Sequence, residues 1–451
     1  MKGIIIAGTH SGSGKTTITM GLMLALINRG FSVAPFKVGP DFIDPGHHTN
    51  ITGHICRNLD GWMLSKSYNI ENFAKNSKGH DISVVEGVMG LFDGYSGKTE
   101  AGSTAQMAKW LNLPVLLIVN ARSMARSAAA IVKGFEEFDK NLKFAGVIFN
   151  NVASKRHLDY LEEALIDNVN MPCLGGIPGE KSVKIEERHL GLITQDEFSF
   201  SSEKKKKLSN LIEENLNIDL LIKNLPEIQQ SIKSFEFPKP SVKIGVARDK
   251  AFCFYYEDNL DFLKKAGAEI IYFSPLKDKE LPSGITGVYF GGGYPELFAK
   301  ELSNNNKMLN SIKEASENNM PVYAECGGFM YLCKDITNTE QEIFPMVGCF
   351  PFSAKMYSRL KSLGYREITL NKDIIIGKKN EIIRGHEFHY SGIDENQKIE
   401  MVYNVTSRLN LDIKNEGFQV NKTLGSYIHL HFGSCPSIAE SFIKACKAFK
   451  S

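Results

Sequence analysis

The feature that most constrains the fold is an alternation of short apolar segments with helix-length segments in the first 150 residues. GIIIAG, VAPFK, DISVVEG, PVLLIVN and FAGVIFNN are short and almost wholly apolar, and stretches such as KTTITMGLMLALINRG lie between them. Continuous apolar strands that alternate with helices form a parallel sheet covered on both faces. The N-terminal part is therefore predicted to be a doubly wound α/β domain.

A second alternating pattern begins about halfway along the chain. The first pattern fades after GLIT, a polar helical segment with a solvated lysine run follows, and FEFPKPS has the composition of a linker. A new strand opens at SVKIGVARD, and ITGVYFGGGYPE and MPVYAECGGFMYL are each typical of a strand, a turn and a helix start. We predict an α/β protein with two doubly wound, mostly parallel-sheet domains at 1–195 and 241–451, separated by a helical segment and linker at 196–240.

Composition excludes several classes of function. The 451 residues are 43% hydrophobic and 23% charged, with a formal net charge of +2. These values are typical of a soluble globular protein and give no electrostatic reason to expect a nucleic acid or membrane partner. No apolar run reaches the roughly 18 residues of a membrane helix, and no signal peptide is expected. The eight cysteines include no Cys-x-x-Cys pair, so we expect reduced thiols in a cytoplasmic protein.

The loop GTHSGSGKTT follows the first strand and opens the first helix. In that position backbone N–H groups and a helix N-terminus converge on phosphate oxygens, as in a P-loop. Lys15 is expected to reach the terminal phosphates of ATP, and the Thr16 hydroxyl to bind Mg²⁺. The first glycine, Gly8, comes one residue earlier than strict P-loop spacing requires. The predicted nucleotide-binding residues are Gly12, Gly14, Lys15, Thr16, Thr17 and Lys37.

Acidic residues are predicted beside the same phosphates. Glu86 ends the apolar strand of VVEGVMGLFDG, at the edge where open α/β sheets bind ligands. It is a candidate Mg²⁺ ligand, or a holder of Mg²⁺-bound water. Asp93 follows in a glycine-rich loop, where an ordinary turn residue is the alternative.

The segment PFKVGPDFIDPGHH holds many polar side chains between prolines. Lys37 ends a short strand at the ligand edge, and Asp41 and Asp44 follow in what is predicted to be a proline-stiffened loop. Two acids beside a phosphate donor repel each other unless a cation or a proton relay lies between them, which makes Asp44 a candidate Mg²⁺ ligand. His47 and His48 are expected to have structural or substrate-contact roles.

A cysteine is the candidate reactive group of the second domain. Cys326 lies at a strand-to-helix turn in VYAECGGFMYL, where the helix N-terminus favours the thiolate. SYIHLHF is predicted to be a strand over 427–432 that places His429 and His431 on one face, and a histidine near the thiol would act as its base. The glycine turn of FGGGYPE would stabilise an oxyanion. The predicted oxyanion contacts are Gly292, Gly293 and Gly327.

These motifs resemble those of a known family. AECGGFMYL, FGGGYPE and SYIHLHF are similar to the nucleophile, oxyanion and histidine segments of triad-type, class I glutamine amidotransferases. The first domain resembles dethiobiotin synthetase-like P-loop enzymes. Together, and with PFKVGPDFIDPGHH, NLDGWM, VEGVMGLFDG and RGHEFHYS, the two domains resemble the cobyrinic acid a,c-diamide synthases over nearly the whole chain.

The resemblance implies an ATP- and glutamine-dependent ligase of cobalamin biosynthesis. ATP would phosphorylate the a and c acetate carboxylates of a cobyrinate-type tetrapyrrole, and ammonia from L-glutamine would then displace phosphate. Because ammonia in open water is mostly protonated, the two sites are expected to share a closed route.

Residue roles also follow from the resemblance. Cys326 matches the nucleophile and His429, rather than His431, its base. The three glycines of the oxyanion turn and elbow would contact glutamine. Asp41, Asp44 and Asp93 match acids of the carboxylate-activating site. In many amidotransferases the third member of the catalytic triad is a glutamate two residues after the histidine. Here that position is His431, so the third triad member is absent or lies elsewhere.

Two alternatives stay open at this point. One is the same reaction on another tetrapyrrole, such as Ni-sirohydrochlorin in coenzyme F430 synthesis. The other is a regulatory P-loop ATPase with an inactive amidotransferase domain, although Cys326 and a histidine in the expected place argue against it. The sequence also leaves a homodimer open.

Overall fold

A computed structural model divides the protein into two compact units. Of the residues that the structure describes, 1–179 and 201–228 belong to the first unit and those from 237 onward to the second. The structure describes residues 1–179, 201–228, 237–394, 399–407 and 413–450. The predicted domain end at residue 195 lies outside the described residues.

The first unit is built on a seven-stranded sheet in the order β3-β2-β4-β1-β5-β6-β7, in which neighbouring strands are parallel. Its strands are β1 (Lys2–Gly8), β2 (Val33–Val38), β3 (Arg57–Leu59), β4 (Ile82–Gly90), β5 (Val115–Asn120), β6 (Phe144–Val152) and β7 (Cys173–Pro178). Its helices are α1 (Lys15–Asn28), α2 (Ile43–Thr52), α3 (Lys66–Ser77), α4 (Thr104–Leu111), α5 (Ser127–Phe138), α6 (Lys155–Leu165), α7 (Ser202–Asn215) and α8 (Ile218–Asn224). The predicted parallel, doubly wound sheet is confirmed.

The uniformly apolar strands follow from helices on both faces of this sheet. Along β1, Ile4 and Ile6 belong to one core cluster together with Leu22 of α1. Ile5 belongs to a second cluster together with Ala108 of α4. Because successive strand residues point to opposite faces, both sets of positions must be apolar.

The segment predicted as a proline-stiffened loop begins a helix instead. Oδ1 of Asp41 accepts hydrogen bonds from the backbone N–H groups of Ile43, at 2.7 Å, and Asp44, at 3.1 Å. Pro45 is tolerated because it lies in the first turn of α2, where backbone N–H groups have no partner within the helix. The loop prediction is therefore wrong from Ile43 onward.

The lysine-rich polar segment forms α7, which packs on α1. A Cβ at Gly21 would lie 2.5 Å from Cγ1 of Ile212, so glycine permits the close approach of the two helices. At the end of α1, Arg29 forms ion pairs of 2.7 Å with Glu213 and Asp219. The lysine run is mostly exposed, as expected of a solvated face.

The second unit contains a ten-stranded mixed sheet in the order β10-β8-β11-β13-β22-β21-β20-β17-β18-β23. Its strands are β8 (Val242–Ala247), β9 (Phe252–Phe254), β10 (Ala268–Phe273), β11 (Gly287–Phe290), β12 (Gly292–Gly293), β13 (Val322–Glu325), β14 (Asp335–Thr337), β15 (Ile343–Pro345), β16 (Ser353–Met356), β17 (Ser362–Leu370), β18 (Ile382–His389), β19 (Ser391–Ile393), β20 (Glu400–Ser407), β21 (Ile413–Val420), β22 (Thr423–Ser426) and β23 (His429–Leu430). Its helices are α9 (Glu257–Lys265), α10 (Ala299–Asn304), α11 (Asn306–Glu317), α12 (Gly327–Leu332) and α13 (Ser437–Lys450).

This sheet joins two kinds of strand pairing. It is parallel from β10 through β22 and antiparallel from β22 through β23. Two smaller sheets, β12-β9 and β15-β14-β16-β19, complete the unit. The α/β class is confirmed, and the antiparallel half is a feature that the strand–helix alternation did not predict.

The strand predicted over residues 427–432 is shorter than expected. β22 ends at Ser426, and the next strand, β23, contains two residues. The interruption has a local cause: the carboxylate of Glu416 accepts hydrogen bonds from Oγ of Ser426, at 2.6 Å, and from the backbone N–H of Tyr427, at 2.8 Å. A backbone donor that binds a side chain is not available to a strand ladder.

Candidate active sites

The phosphate loop connects β1 to α1 and depends on glycine geometry. Gly12 and Gly14 have φ values of 80° and 99°, which glycine adopts without steric cost. Gly14 caps α1, and a Cβ there would lie 2.1 Å from Nδ2 of Asn150. That amide also donates to the backbone oxygen of Ser13 at 2.9 Å. The loop is therefore fixed at the helix N-terminus, with Thr17 half-buried in the first turn.

Lys15 and Thr16 open this helix and reach different partners. Nζ of Lys15 donates to the backbone oxygen of His10 at 3.3 Å. Burial, and then the charge of Lys37, lower the pKa of Lys15 to about 8. Oγ1 of Thr16 donates to Oε1 of Glu86 at 2.7 Å. An incoming phosphate would therefore find a partly desolvated lysine beside a threonine already bound to an acid.

Lys37 lies at the centre of the acidic residues. Its Nζ is 2.6 Å from Oδ2 of Asp44, 2.9 Å from Oε1 of Glu86 and 3.1 Å from the backbone oxygen of Gly87. Although burial alone would lower it, the two carboxylates hold the pKa of Lys37 well above its ordinary value. The cation between the two acids is thus a buried lysine of the chain itself.

Two histidines of α2 lie beside this ion pair. Nε2 of His48 is 2.6 Å from Oε2 of Glu86. Burial alone would raise the pKa of Glu86. The charge of Lys37 and the hydrogen bond with His48 outweigh burial and hold the pKa of Glu86 well below its ordinary value. Burial lowers the pKa of His47 to about 4, so His47 is neutral at pH 7. Glu86 is therefore an ionised carboxylate with partners on both oxygens.

The remaining predicted acids, Asp41 and Asp93, each accept hydrogen bonds from nearby backbone N–H groups. Asp41 caps α2, and its backbone oxygen accepts from Nδ2 of Asn58 at 2.8 Å. Asp93 is exposed, and its Oδ2 accepts from the backbone N–H of Gly90 at 2.9 Å. Burial lowers the pKa of Lys15, and the charge of Asp93 acts in the opposite direction to raise the pKa of Lys15. Asp93 therefore lies within electrostatic range of the phosphate loop.

In the second unit, Cys326 occupies a sharp turn between β13 and α12, with φ 46° and ψ −108°. A left-handed φ in a non-glycine residue costs of order 1–3 kcal/mol, and such strained strand-to-helix turns present nucleophiles in α/β enzymes. Burial, and then the charge of Glu296, raise the pKa of Cys326 well above its ordinary value. The backbone N–H of Gly327, at the start of α12, acts in the opposite direction and lowers the pKa of Cys326, as expected of a helix N-terminus, but burial has the larger effect.

Glycines bring the oxyanion strand against the cysteine turn and the histidine. A Cβ at Gly327 would lie 3.0 Å from both N and O of Gly293, and 2.8 Å from Cδ of Pro295. A Cβ at Gly292 would lie 2.4 Å from Cε1 and 3.1 Å from Nε2 of His429. The structure thus brings the three predicted glycines, the cysteine turn and this histidine together.

The two histidines of SYIHLHF have different surroundings. The ring of His429 stacks on His386, with centroids 5.0 Å apart and planes at 16°. Nε2 of His431 lies 3.7 Å from Oδ2 of Asp258 in α9, and burial lowers the pKa of His431 to about 4. His429 therefore contacts the oxyanion strand, whereas His431 contacts α9, and both histidines lie near His386.

Sequence reasoning missed three residues of these sites. Asn150 supports the phosphate loop, and its signal was the polar end of the buried strand FAGVIFNN. His386 comes from RGHEFHYS, a motif that had no assigned role. Glu325, the residue before Cys326, lies 3.6 Å from Nδ1 of His429. An acid at the end of a buried strand, in AECGG, was the signal for it.

Comparison with known families defines the class. Residues 4–193 match the CobQ/CobB/MinD/ParA nucleotide binding domain, and residues 243–436 match the CobB/CobQ-like glutamine amidotransferase domain. The protein therefore joins a nucleotide-binding domain to a glutamine amidotransferase domain. Among the described residues, no helix has both the length and the apolar character to cross a membrane.

Relatives narrow the class to one family. A cobyrinate a,c-diamide synthase of Leptospira interrogans is 43% identical over 448 residues, covering 98% of each chain. That of Dehalococcoides mccartyi is 42% identical, covering 99% of this chain and 98% of the other, and that of Methanosarcina acetivorans is 40% identical, covering 99% and 96%. The chain belongs to the cobyrinate a,c-diamide synthase family and is a glutamine-dependent amide-forming ligase that uses ATP.

Proposed function

We propose that this chain converts the a and c acetate carboxylates of cobyrinate into amides. Each amidation consumes one ATP, one L-glutamine and one water, and yields ADP, phosphate, glutamate and the amide. The first unit, which includes α7 and α8 of the segment predicted at 196–240, is the ATP-dependent synthetase domain, and the second unit is the amidotransferase domain. The names of the relatives support the substrate, and the geometry of the two units supports the division of labour.

In the synthetase domain, a carboxylate oxygen of the substrate attacks the γ-phosphorus of ATP, and ADP leaves. Lys15 binds the terminal phosphates, while Gly12, Gly14 and Thr17 line the loop around them. The acyl phosphate that forms has a good leaving group, which the free carboxylate lacks. Ammonia then attacks the acyl carbon, phosphate leaves, and the amide remains.

Acidic residues complete this site. Thr16 donates its proton to Glu86, so its oxygen keeps lone pairs for a cation. Mg²⁺ takes several of its ligands from phosphate and water oxygens, so it needs few ligands from the protein. When bound, Mg²⁺ would be held by Thr16, Glu86 and Asp44 and would neutralise phosphate charge.

Asp44 also belongs, with Asp41 and Asp93, to a second set of acids that we place beside the substrate carboxylate. Lys37 fixes Asp44 and Glu86 in place through its two ion pairs. We assign Asp41, Asp44 and Asp93 to the alignment of the carboxylate that is phosphorylated. Misplacing such groups by about 1 Å can cost on the order of 10²-fold in rate, which is why a rigid arrangement of buried charges suits this site.

In the amidotransferase domain, the thiol of Cys326 attacks the amide carbon of glutamine. His429 takes the thiol proton and returns it to the leaving nitrogen, which departs as ammonia. Backbone N–H groups at Gly292, Gly293 and Gly327 stabilise the oxyanion of the tetrahedral intermediate. Water then hydrolyses the thioester, and glutamate leaves.

The observation that carries this proposal is the strained Cys326 turn, which packs through Gly327 against the oxyanion strand, whose Gly292 in turn approaches His429. The test is mass spectrometry of products after incubation with ATP, Mg²⁺, glutamine and either cobyrinate or Ni-sirohydrochlorin. We expect the diamide of cobyrinate. Amidation of the nickel compound alone would overturn the substrate assignment, and an absence of glutaminase activity would favour a regulatory ATPase.

A further inference from the structure

We propose that Glu325, the residue directly before the nucleophile, is the positioning residue that orients His429. The proposal rests on the functions proposed above for Cys326 and His429. It supplies the acidic third member that sequence reasoning could not find, and it places that member on the nucleophile's own strand rather than after the histidine.

The first observation is the contact itself. Oε2 of Glu325 lies 3.6 Å from Nδ1 of His429, and the two side chains are only 1% and 2% exposed. Cε1 and Nε2 of the ring lie beside Gly292 of the oxyanion strand. An acid at Nδ1 favours the tautomer whose Nε2 carries the lone pair that accepts the thiol proton. The ring of His429 thus has an acid at Nδ1 and the oxyanion strand beside Cε1 and Nε2.

The second observation is that the carboxylate is held from several directions. Oε2 accepts a hydrogen bond from the hydroxyl of Tyr289 at 3.0 Å. Oε1 accepts from the hydroxyl of Tyr323 at 2.6 Å and from the backbone N–H of Leu430 at 3.1 Å. Because Leu430 directly follows His429, Glu325 fixes both the ring and the backbone that carries it. Such support is what a positioned catalytic group requires.

The residue at the expected position of the acid points elsewhere. His431, two residues after His429, has its Nε2 near Asp258, and its Nδ1 accepts from the backbone N–H of Gly433 at 3.1 Å. The ring of His429 also stacks on the ring of His386. Nδ1 of His386 lies 2.7 Å from the hydroxyl of Tyr256. Burial lowers the pKa of His386 well below its ordinary value, so a neutral ring restricts the plane of His429 while Glu325 sets its rotation.

The separation of 3.6 Å is longer than a hydrogen bond, and catalytic contacts of this kind tighten when substrate binds. The alternative is that Glu325 is merely a neighbouring charge. Burial and Glu296 raise the pKa of Cys326 most, and Glu325 adds to the same effect. A charge acting only through space would therefore oppose thiolate formation, and its removal would speed glutamine hydrolysis. The two roles predict opposite signs.

The experiment measures glutaminase kcat and KM for Glu325→Gln, His429→Ala and the double variant. Glu325→Gln keeps the volume of the side chain and removes its charge. We expect its kcat to fall about 10²–10³-fold, within the range of a general base, with little change in KM. Because Glu325 acts through His429, the double variant should be no slower than His429→Ala alone. Amide formation from added ammonium should persist and reports that the chain is folded.

The matched control is Glu416→Gln, the same change in a half-buried glutamate of this sheet. Glu416 binds Ser426 and Tyr427, and we expect this variant to keep most of its glutaminase rate. The proposal is overturned if Glu325→Gln hydrolyses glutamine as fast as or faster than wild type, or if this variant also loses ammonium-dependent amidation. It is overturned as well if Glu416→Gln is impaired equally, or if the double variant is slower than His429→Ala. A normal rate for His429→Ala would instead refute the proposed base.

Discussion

The phosphate site and the thiol site treat charge in opposite ways. Around Lys37, a buried cation lies 2.6 Å from Asp44 and 2.9 Å from Glu86, and this ion pairing raises the pKa of Lys37 and lowers that of Glu86. Around Cys326, burial raises the pKa of the thiol, and burial lowers the pKa of the histidine that stacks on its base. One site thus holds its charges in ion pairs, whereas the other disfavours the charged form of its reactive thiol.

The difference follows from the chemistry proposed for each site. Phosphoryl transfer moves negative charge that is present from the start, so fixed charges can be arranged in advance. Attack by a thiol needs charge only during the reaction, and a permanent thiolate would react with other electrophiles. A buried thiol with an oriented base becomes a nucleophile when the proton moves. The predictions below test this separation, in order of expected effect.

The largest effect is expected from Cys326→Ser. Glutamine-dependent amide formation should fall more than about 10⁴-fold, the scale of losing a catalytic nucleophile. Amide formation from high concentrations of ammonium should remain, because the phosphate site is untouched. The measurement is the rate of amide formation with each nitrogen donor. Equal failure with both donors would show that the two sites are not separable.

The next effect separates the two histidines. His429→Ala should lower the glutaminase rate by about 10²–10⁴-fold, the contribution of a general base. His431→Ala should lower it less, since His431 faces Asp258 rather than the oxyanion strand. Glutamate release by both variants is compared with wild type. If His431→Ala proved the more damaging, the assignment of the base would be reversed.

Asp44→Asn tests the phosphate site around Lys37. We expect amide formation to fall about 10²-fold through misalignment, while glutamate release at Cys326 continues. The change also removes one of the two carboxylates that form ion pairs with Lys37, so we expect the free energy of unfolding to fall by about 1–3 kcal/mol. Both products and a chemical denaturation curve are measured on one sample. Normal amide formation would exclude Asp44 from the site, and loss of both activities would make it a structural residue.

The smallest effect concerns pH and the thiol of the free protein. Because the pKa of Cys326 is raised, less of it is thiolate at a given pH than for an ordinary cysteine, whose pKa is about 8.5. Alkylation of Cys326 by iodoacetamide, followed by peptide mass spectrometry, should therefore have its midpoint above that value. Burial raises the pKa of Glu296 to about 7, so Glu296 is negative in this range, and Glu296→Gln should shift the midpoint to lower pH. A midpoint below 8.5 in wild type would contradict a neutral thiol site.

The sequence predicted most of the backbone that positions the sites. The strands before Gly8, Lys37 and Cys326 were recognisable because parallel, buried strands are continuous apolar runs. The start of α2 was missed, because prolines near a polar stretch indicate a loop unless one knows that Asp41 caps the helix. The antiparallel half of the second sheet was missed because the prediction rested on alternating strands and helices, whereas this half is built largely from consecutive strands that pair directly.

The chemistry of the sites was predictable only in part. Motifs identified Lys15, Glu86 and Cys326, because their residue types follow from local spacing. Burial and long-range contacts decided the rest: Lys37 binds acids of the chain, and Glu325 reaches a histidine over a hundred residues away. Contacts of that kind depend on strand order, which no local pattern contains.

The central claim is that the nitrogen of the new amides comes from glutamine through Cys326. The direct measurement supplies amide-¹⁵N glutamine together with equimolar unlabelled ammonium, ATP, Mg²⁺ and cobyrinate, and follows ¹⁵N in the product by mass spectrometry. The account predicts ¹⁵N in both new amides with wild type, and unlabelled amides with Cys326→Ser. Mostly unlabelled product from wild type, or ¹⁵N incorporation by Cys326→Ser, would contradict it.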